Sequence, residues 1–207
     1  MTERQPRRRL RLLLAVLSGG LLVVAGLGLA PSHPAQHRPR LSQDAAPAGA
    51  VAPLPRSTPL QLVIPSLRVD APLLGLGLDT RGAPELPPFT LPKTAAWLRD
   101  SATPGERGTA VLLGHVDTRT GPAVFWGLSA LKRGAAVEVS RVDGRTAVFT
   151  VDRTASYSKA AFPSAAVYGP AADAQLRLIT CGGAFDASTQ QYRGNVVVYA
   201  HLTGVRG

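Results

Sequence analysis

Three side chains in this sequence have the types and placement for acyl-transfer chemistry: Cys181, His115 and Arg193. A cysteine becomes a nucleophile when a neighbouring histidine or arginine stabilises its thiolate. Acyl transfer also needs a group that stabilises charge on the attacked carbonyl, and arginine offers a permanent charge with a fork of donors. Cys181 is the sole cysteine, so no internal disulfide can form. The ordinary reading of a lone cysteine is a small, buried, inert thiol. A single histidine or arginine is likewise more often structural or solvated than catalytic. Asp117 follows His115 by two positions and either orients its ring or caps a turn.

The elements that must position these groups read as strands. Leu176, Leu178 and Thr180 alternate with Arg177 and Ile179 up to Cys181, the period-2 pattern of a strand. Gly182 and Gly183 are expected to end that strand and to let a bound group approach the backbone. Thr109–His115 reads as a fully buried strand, so His115 ends one strand much as Cys181 ends another. Arg193 falls on the loop returning from Cys181, just before a last strand over Gly194–Leu202. His201 lies inside that last strand and reads as a partly exposed strand residue. Leu60–Ile64 is a strand stopped by Pro65. Short extended pieces follow over Leu67–Val69 and Ala71–Leu78. A turn at Asp79–Gly82 leads to a surface loop over Pro84–Pro92 with four prolines. Ala95–Leu98 is a short strand or turn, and Val124–Leu131 holds a helical turn or two. Asp143-Gly144 between Val137–Val142 and Thr146–Val151 signals a hairpin. Residues 153–174 form a long connection with a helical turn at Lys159–Val167. About eight short strands and no long helix predict an all-β barrel or sandwich. No His or carboxylate spacing suggests a metal site.

Charge and hydropathy divide the chain. Residues 1–59 carry eight Arg against Glu3 and Asp44, a net +6, and residues 60–207 carry fifteen Lys or Arg against eleven Asp or Glu, a net +4. The whole is +10, but no basic run interleaves with aromatics, which argues against nucleic acid. A basic segment over 1–11 precedes an apolar run over 12–30, which at about 1.5 Å per residue spans roughly 28 Å, close to a bilayer core. Positive residues stay cytoplasmic, so the rest of the chain is expected outside a single-pass anchor. The rival is a cleaved signal peptide, but Pro31 directly follows the small residues that would be cut. Residues 31–59 hold seven prolines and few large apolar residues, and are expected to be a disordered tether. The folded domain is expected over 60–207. A lone thiol kept outside the cytosol is exposed to oxidation without a disulfide partner, which suggests that it is used.

Leu178-Ile179-Thr180-Cys181 resembles the Leu-x-Thr-Cys signature of sortases, the cysteine transpeptidases of Gram-positive surfaces. Gly114-His115 closes a strand as the sortase histidine does, and Arg193 with Val196–Ala200 resembles the sortase arginine and its strand. The order His, Cys, Arg agrees, and so does the N-terminal anchor. The segments around His115, Cys181 and Tyr192–Val196 look most like class F sortases of actinobacteria, with class E next. Arg177 departs from the threonine that many sortases carry there, and is expected to touch class or substrate preference.

The resemblance implies a closed eight-stranded sortase-type β-barrel with one or two short helices, behind one transmembrane helix. It implies that Cys181 attacks the Thr–Gly carbonyl of a Leu-Pro-x-Thr-Gly-like sorting signal and forms a thioester. His115 protonates the leaving amine, then accepts a proton from an incoming amine, expected to come from a peptidoglycan precursor. Arg193 holds the oxyanion or the substrate backbone, Thr180 and Gly182 contact substrate, and Asp117 supports His115. No cofactor or metal is called for. The partners implied are surface-protein sorting signals, the acceptor amine and the membrane. The 153–174 connection is expected to wall the peptide site, with no N-terminal lid. A hydrolytic peptidase on the same fold, a non-catalytic cell-wall binding domain and a solitary-thiol redox sensor are the alternatives.

Overall fold

The computed structural model describes residues 51–207. The basic segment, the apolar span and residues 31–50 of the tether lie outside the described residues. No helix among the described residues is long and apolar enough to cross a membrane.

Ten strands carry the chain: β1 Pro59–Ile64, β2 Val69–Leu76, β3 Ala95–Leu98, β4 Gly108–Leu113, β5 Asp117–Thr118, β6 Gly121–Pro122, β7 Ala136–Arg141, β8 Thr146–Ser158, β9 Ala174–Asp186 and β10 Gln191–Arg206. Eight close into a barrel in the order β1-β2-β3-β4-β9-β10-β8-β7, while β5 and β6 form a small ribbon. A closed barrel leaves no free edge for another chain to pair with. The sole α-helix among the described residues is α1, Ser164–Tyr168.

Alternation sorts the side chains into two layers. Leu62, Leu112, Phe149, Leu176, Leu178 and Val198 belong to the barrel core. The intervening residues Val111, Leu113, Ile179, Val197 and Tyr199 form a second cluster with Val167 of α1, packed by Tyr157, Phe162 and Tyr168. The β4, β9 and β10 strands are therefore buried on both faces. That is why β4 reads as an unbroken apolar run. Each fully buried Leu or Val contributes about 1.5–3 kcal/mol relative to exposure.

The expected Asp143-Gly144 hairpin is present between β7 and β8, with Gly144 at φ +78°. Three boundaries differ from the sequence reading. The connection assigned to 153–174 begins as strand, because β8 runs to Ser158 and pairs with Gly194 on β10. The β9 strand passes through Gly182 and Gly183 rather than ending there. Residues 51–58, assigned to the tether, pack on the barrel. Leu54 donates its N–H to the Gly105 carbonyl at 2.8 Å.

The reason for that last docking is Arg141, whose side chain is fully buried. Its guanidinium donates to the Pro104 carbonyl at 2.5 Å, the Pro55 carbonyl at 2.6 Å and the Asp143 carboxylate at 2.8 Å. A buried cation needs such acceptors. The Arg141 hydrogen bond in turn holds the Asp143 carboxyl below its usual range. Replacing Arg141 by Met strips three acceptors of their donor, and the expected cost is about 3 kcal/mol. Thermal denaturation of Arg141→Met checks this. A midpoint within a degree of wild type contradicts the anchoring role.

Candidate active site

The site grows from the parallel pairing of β4 with β9. Leu112 pairs with Leu178 and Leu113 with Ile179. Past the end of β4, the Gly114 N–H donates to the Ile179 carbonyl at 3.2 Å. The Thr180 hydroxyl donates to the Gly114 carbonyl at 2.8 Å. His115 and Cys181 are the next residues along the two strands, in the same alternation as Leu113 and Ile179. Cys181, within β9, continues the outer face of the barrel, His115 lies just past the end of β4, and both are half-buried. The sequence reading placed each at the end of a strand; β4 does stop before His115, but β9 runs on past Cys181.

Gly114 is required where β4 stops. A Cβ there would lie 2.6 Å from Val124 and 2.8 Å from Phe125. The chain then turns, and the His115 carbonyl accepts the Phe125 N–H at 3.0 Å.

On its other side β9 pairs with β10, with Cys181 opposite Asn195 and Gly182 opposite Gly194. The register then slips: Tyr192 pairs with Phe185, so Gly183 and Ala184 together face Arg193. Gly183 has φ +78°. A glycine in the left-handed region with two residues against one is a G1-type bulge, which bends and twists the strand without ending the ladder. Arg193 thus sits inside β10 opposite the bulge, not on a loop. Its side chain is 72% exposed, and its guanidinium donates to the Asp186 carboxylate at 3.0 Å. The Ser188 hydroxyl, and then Arg193, hold the Asp186 carboxyl below its usual range.

The remaining expected site residues have other partners. Thr180 is 4% exposed, and its hydroxyl ties β9 to Gly114. It braces the two strands. Gly182 is buried, and a Cβ there would lie 2.7 Å from Val196. Its small size serves packing. Asp117 accepts a hydrogen bond from the Tyr192 hydroxyl. That bond links β5 to the β9–β10 hairpin, and Phe185 packs edge-on against Tyr192 at 5.2 Å. Arg177 is buried, with its guanidinium over the Tyr199 ring at 4.5 Å and a hydrogen bond to Gln175 at 2.6 Å. It fills the wall below Cys181, and desolvation pushes its pKa down. His201 is exposed on β10, as expected, and pairs with Asp152 at 2.6 Å.

Two contacts of His115 were not legible in the sequence. Its Nε2 lies 2.8 Å from the Pro87 carbonyl. Its ring stacks on Phe89, with centroids 4.2 Å apart and planes at 20°. Both partners come from the proline-rich loop between β2 and β3, which has no periodicity and no polar motif to announce them.

A half-buried thiol on β9, a histidine just past the end of the neighbouring β4 and an arginine across the β9–β10 hairpin are the equipment of a cysteine acyltransferase. The sortase domain model matches residues 62–203, so the chain belongs to the sortase family, cysteine transpeptidases of the cell-wall anchoring kind. No curated protein sequence matches the chain. Among solved structures, Listeria monocytogenes sortase A is similar at 18% identity and TM-score 0.54, over 73% of this chain and 90% of that one. Actinomyces oris sortase C-1 is similar at 23% identity and TM-score 0.54, over 70% of this chain and 73% of that one. A Clostridium perfringens sortase D5 transpeptidase is similar at 15% identity and TM-score 0.53, over 71% and 79%. At these identities the similarity speaks for the fold.

The Tyr192–Asp117 bond is open to direct measurement. The hydrogen bond to the Asp117 carboxylate pushes the Tyr192 hydroxyl up to about 12. The neutral phenol is the form that the fold favours, so this contribution to stability is complete below the ordinary tyrosine pKa. It is lost as pH rises through the raised value. Ultraviolet titration of the wild type minus Tyr192→Phe should isolate a step near 12, and Asp117→Asn should move it down. A Tyr192 step at the ordinary value contradicts the bond.

Proposed function

We propose that this chain is a membrane-anchored, extracytoplasmic transpeptidase of class F type, in which Cys181, His115 and Arg193 carry the chemistry. The observation that supports it best is the β4–β9 register, which ends at Leu113–Ile179 and, with the Thr180–Gly114 bond, leaves His115 and Cys181 at corresponding positions two residues further on. Half-burial suits both residues: the thiol is shielded enough to be influenced by its neighbour and open enough to meet a peptide.

The reaction begins with the Cys181 thiolate attacking the carbonyl of the threonine in a Leu-Pro-x-Thr-Gly-like signal. The S–C bond forms, the C–N bond to glycine breaks, and His115 gives the departing amine its proton. An amine of a cell-wall precursor then attacks the thioester, His115 takes its proton, and the sulfur leaves. Arg193 stands opposite the bulge that follows Cys181 and supplies the donor. In the free enzyme Asp186 holds its guanidinium, and the substrate carbonyl draws it across at some electrostatic cost. The outer wall built by the end of β8, Phe162 and α1 borders the strip where an extended peptide would lie. The class assignment rests on the local sequence around the three residues. The anchor rests on the apolar run 12–30.

Water in place of the amine would make the same site a hydrolase, and product analysis separates the two. Incubation with a Leu-Pro-x-Thr-Gly peptide and an amine is expected to give an amide-linked product and a thioester on Cys181 detectable by mass spectrometry. Cys181→Ala should abolish both. His115→Ala should reduce turnover by about 10²- to 10⁴-fold, the range of lost acid–base catalysis. Arg193→Lys should cost about tenfold or more, because a point charge does not replace the planar fork. Undiminished turnover in Cys181→Ala sinks the mechanism. Free acid as the sole product favours the hydrolase.

A further inference from the structure

The Pro84–Pro92 loop does more than cross the surface. It lays one carbonyl and one aromatic ring on His115. Both ends are pinned. The Glu85 N–H donates to the Gly77 carbonyl at 3.0 Å, and the Thr94 N–H to the Leu91 carbonyl at 3.1 Å. Lys93 Nζ reaches the Pro122 carbonyl at 3.4 Å, on the far side of the His115 turn. Between the pins, Pro87 has its φ locked by its ring, and Pro88 restricts the ψ of Pro87. The Pro87 carbonyl is therefore aimed before His115 arrives. Phe89 lies in the turn closed by the Leu91 N–H on the Pro88 carbonyl at 2.9 Å. The residue is 66% exposed, and its ring stacks on the imidazole. A phenyl group left so open to water has little packing reason to be there apart from that stack.

A carbonyl only accepts hydrogen bonds, so the 2.8 Å contact makes Nε2 the protonated nitrogen of His115. Nε2–H exists in both the neutral ring and the imidazolium. The bond to Pro87 therefore persists through a proton-transfer cycle, and only Nδ1 changes state. We propose that the Pro87–Phe89 strap is a positioning element that locks His115 in the Nε2–H tautomer, so that Nδ1 is the atom that exchanges protons. In acylation the Nδ1 proton goes to the leaving amine as the S–C bond replaces the C–N bond. In deacylation Nδ1 takes a proton from the incoming amine. Phe89 sets the plane of the ring, and Pro87 sets its rotation. The strap's role in turnover rests on the transpeptidase reading of Cys181 and His115, while the tautomer lock does not.

The test uses the full chain with Phe89→Ala and Phe89→Trp. Nitrogen-15 signals of His115, assigned by difference against His115→Gln, report the tautomer without any substrate. Wild type is expected to show Nε2 protonated and Nδ1 bare in the neutral ring, and Phe89→Ala a mixture of tautomers. With peptide and amine, Phe89→Ala is expected to lower kcat about tenfold with KM within about twofold, as misorientation of an acid–base group does. Phe89→Trp keeps a stacking face and should restore kcat to within about threefold. A neutral wild-type ring protonated on Nδ1 overturns the proposal. So does unchanged kcat in Phe89→Ala, or a faster one, which would make the strap a cover. If wild type turns over no peptide, the transpeptidase reading fails separately. The nitrogen signals then still decide the tautomer lock.

Discussion

The parallel pairing of β4 with β9 is the constraint on which the rest depends. Parallel neighbours require a long crossover, and here everything from β5 to α1 lies within it. The pair is buried on both faces, by the barrel core within and by Val167 and its neighbours outside. A one-residue slip would turn Leu176 and Leu178 outward and Arg177 inward. That cost fixes the register, and the register sets which residue of β4 continues beside Cys181. The Thr180–Gly114 bond extends the pairing past the last ladder position. Chemistry at the wall is thus specified by packing beneath it.

The proposed site lies where this regularity stops. The residue just past the end of β4 must be Gly114, because Val124 and Phe125 occupy the space that any Cβ would need. The β9 strand continues, bent by the Gly183 bulge, and carries the hairpin that presents Arg193. Two side-chain contacts steady that hairpin: Tyr192 reaches Asp117 on β5, and within the hairpin Arg193 pairs with Asp186. Thr180 and Gly182 stand beside Cys181 for structural reasons, as strand brace and packing point.

The sequence made the barrel readable where burial imposes a pattern. Thr109–Leu113 and Leu176–Thr180 show as buried strands because their apolar residues have few alternatives, and Asp143-Gly144 marks its hairpin by backbone chemistry alone. The reading failed where a signal has two meanings. Gly182-Gly183 reads as a strand end, yet one glycine serves close packing and the other a bulge. Residues 51–58 look like tether because they are proline-rich. Their docking depends on Arg141, far along the chain, which needs the carbonyl of Pro55. The strap over His115 was invisible for the same reason: nothing local in Pro87 or Phe89 names the ring that they touch.

A cross-link measures the central juxtaposition most directly. His115→Cys creates a second thiol, and adjacent strands hold facing Cα atoms about 5 Å apart, inside the window that a disulfide tolerates. Mild oxidation of this variant should consume both thiols within one chain and give a single cross-linked peptide joining positions 115 and 181. A control with the second cysteine at His201 on the same background should not cross-link. Free thiols at 115 and 181 after oxidation, or the cross-link in the control alone, would contradict a wall on which these two positions lie side by side.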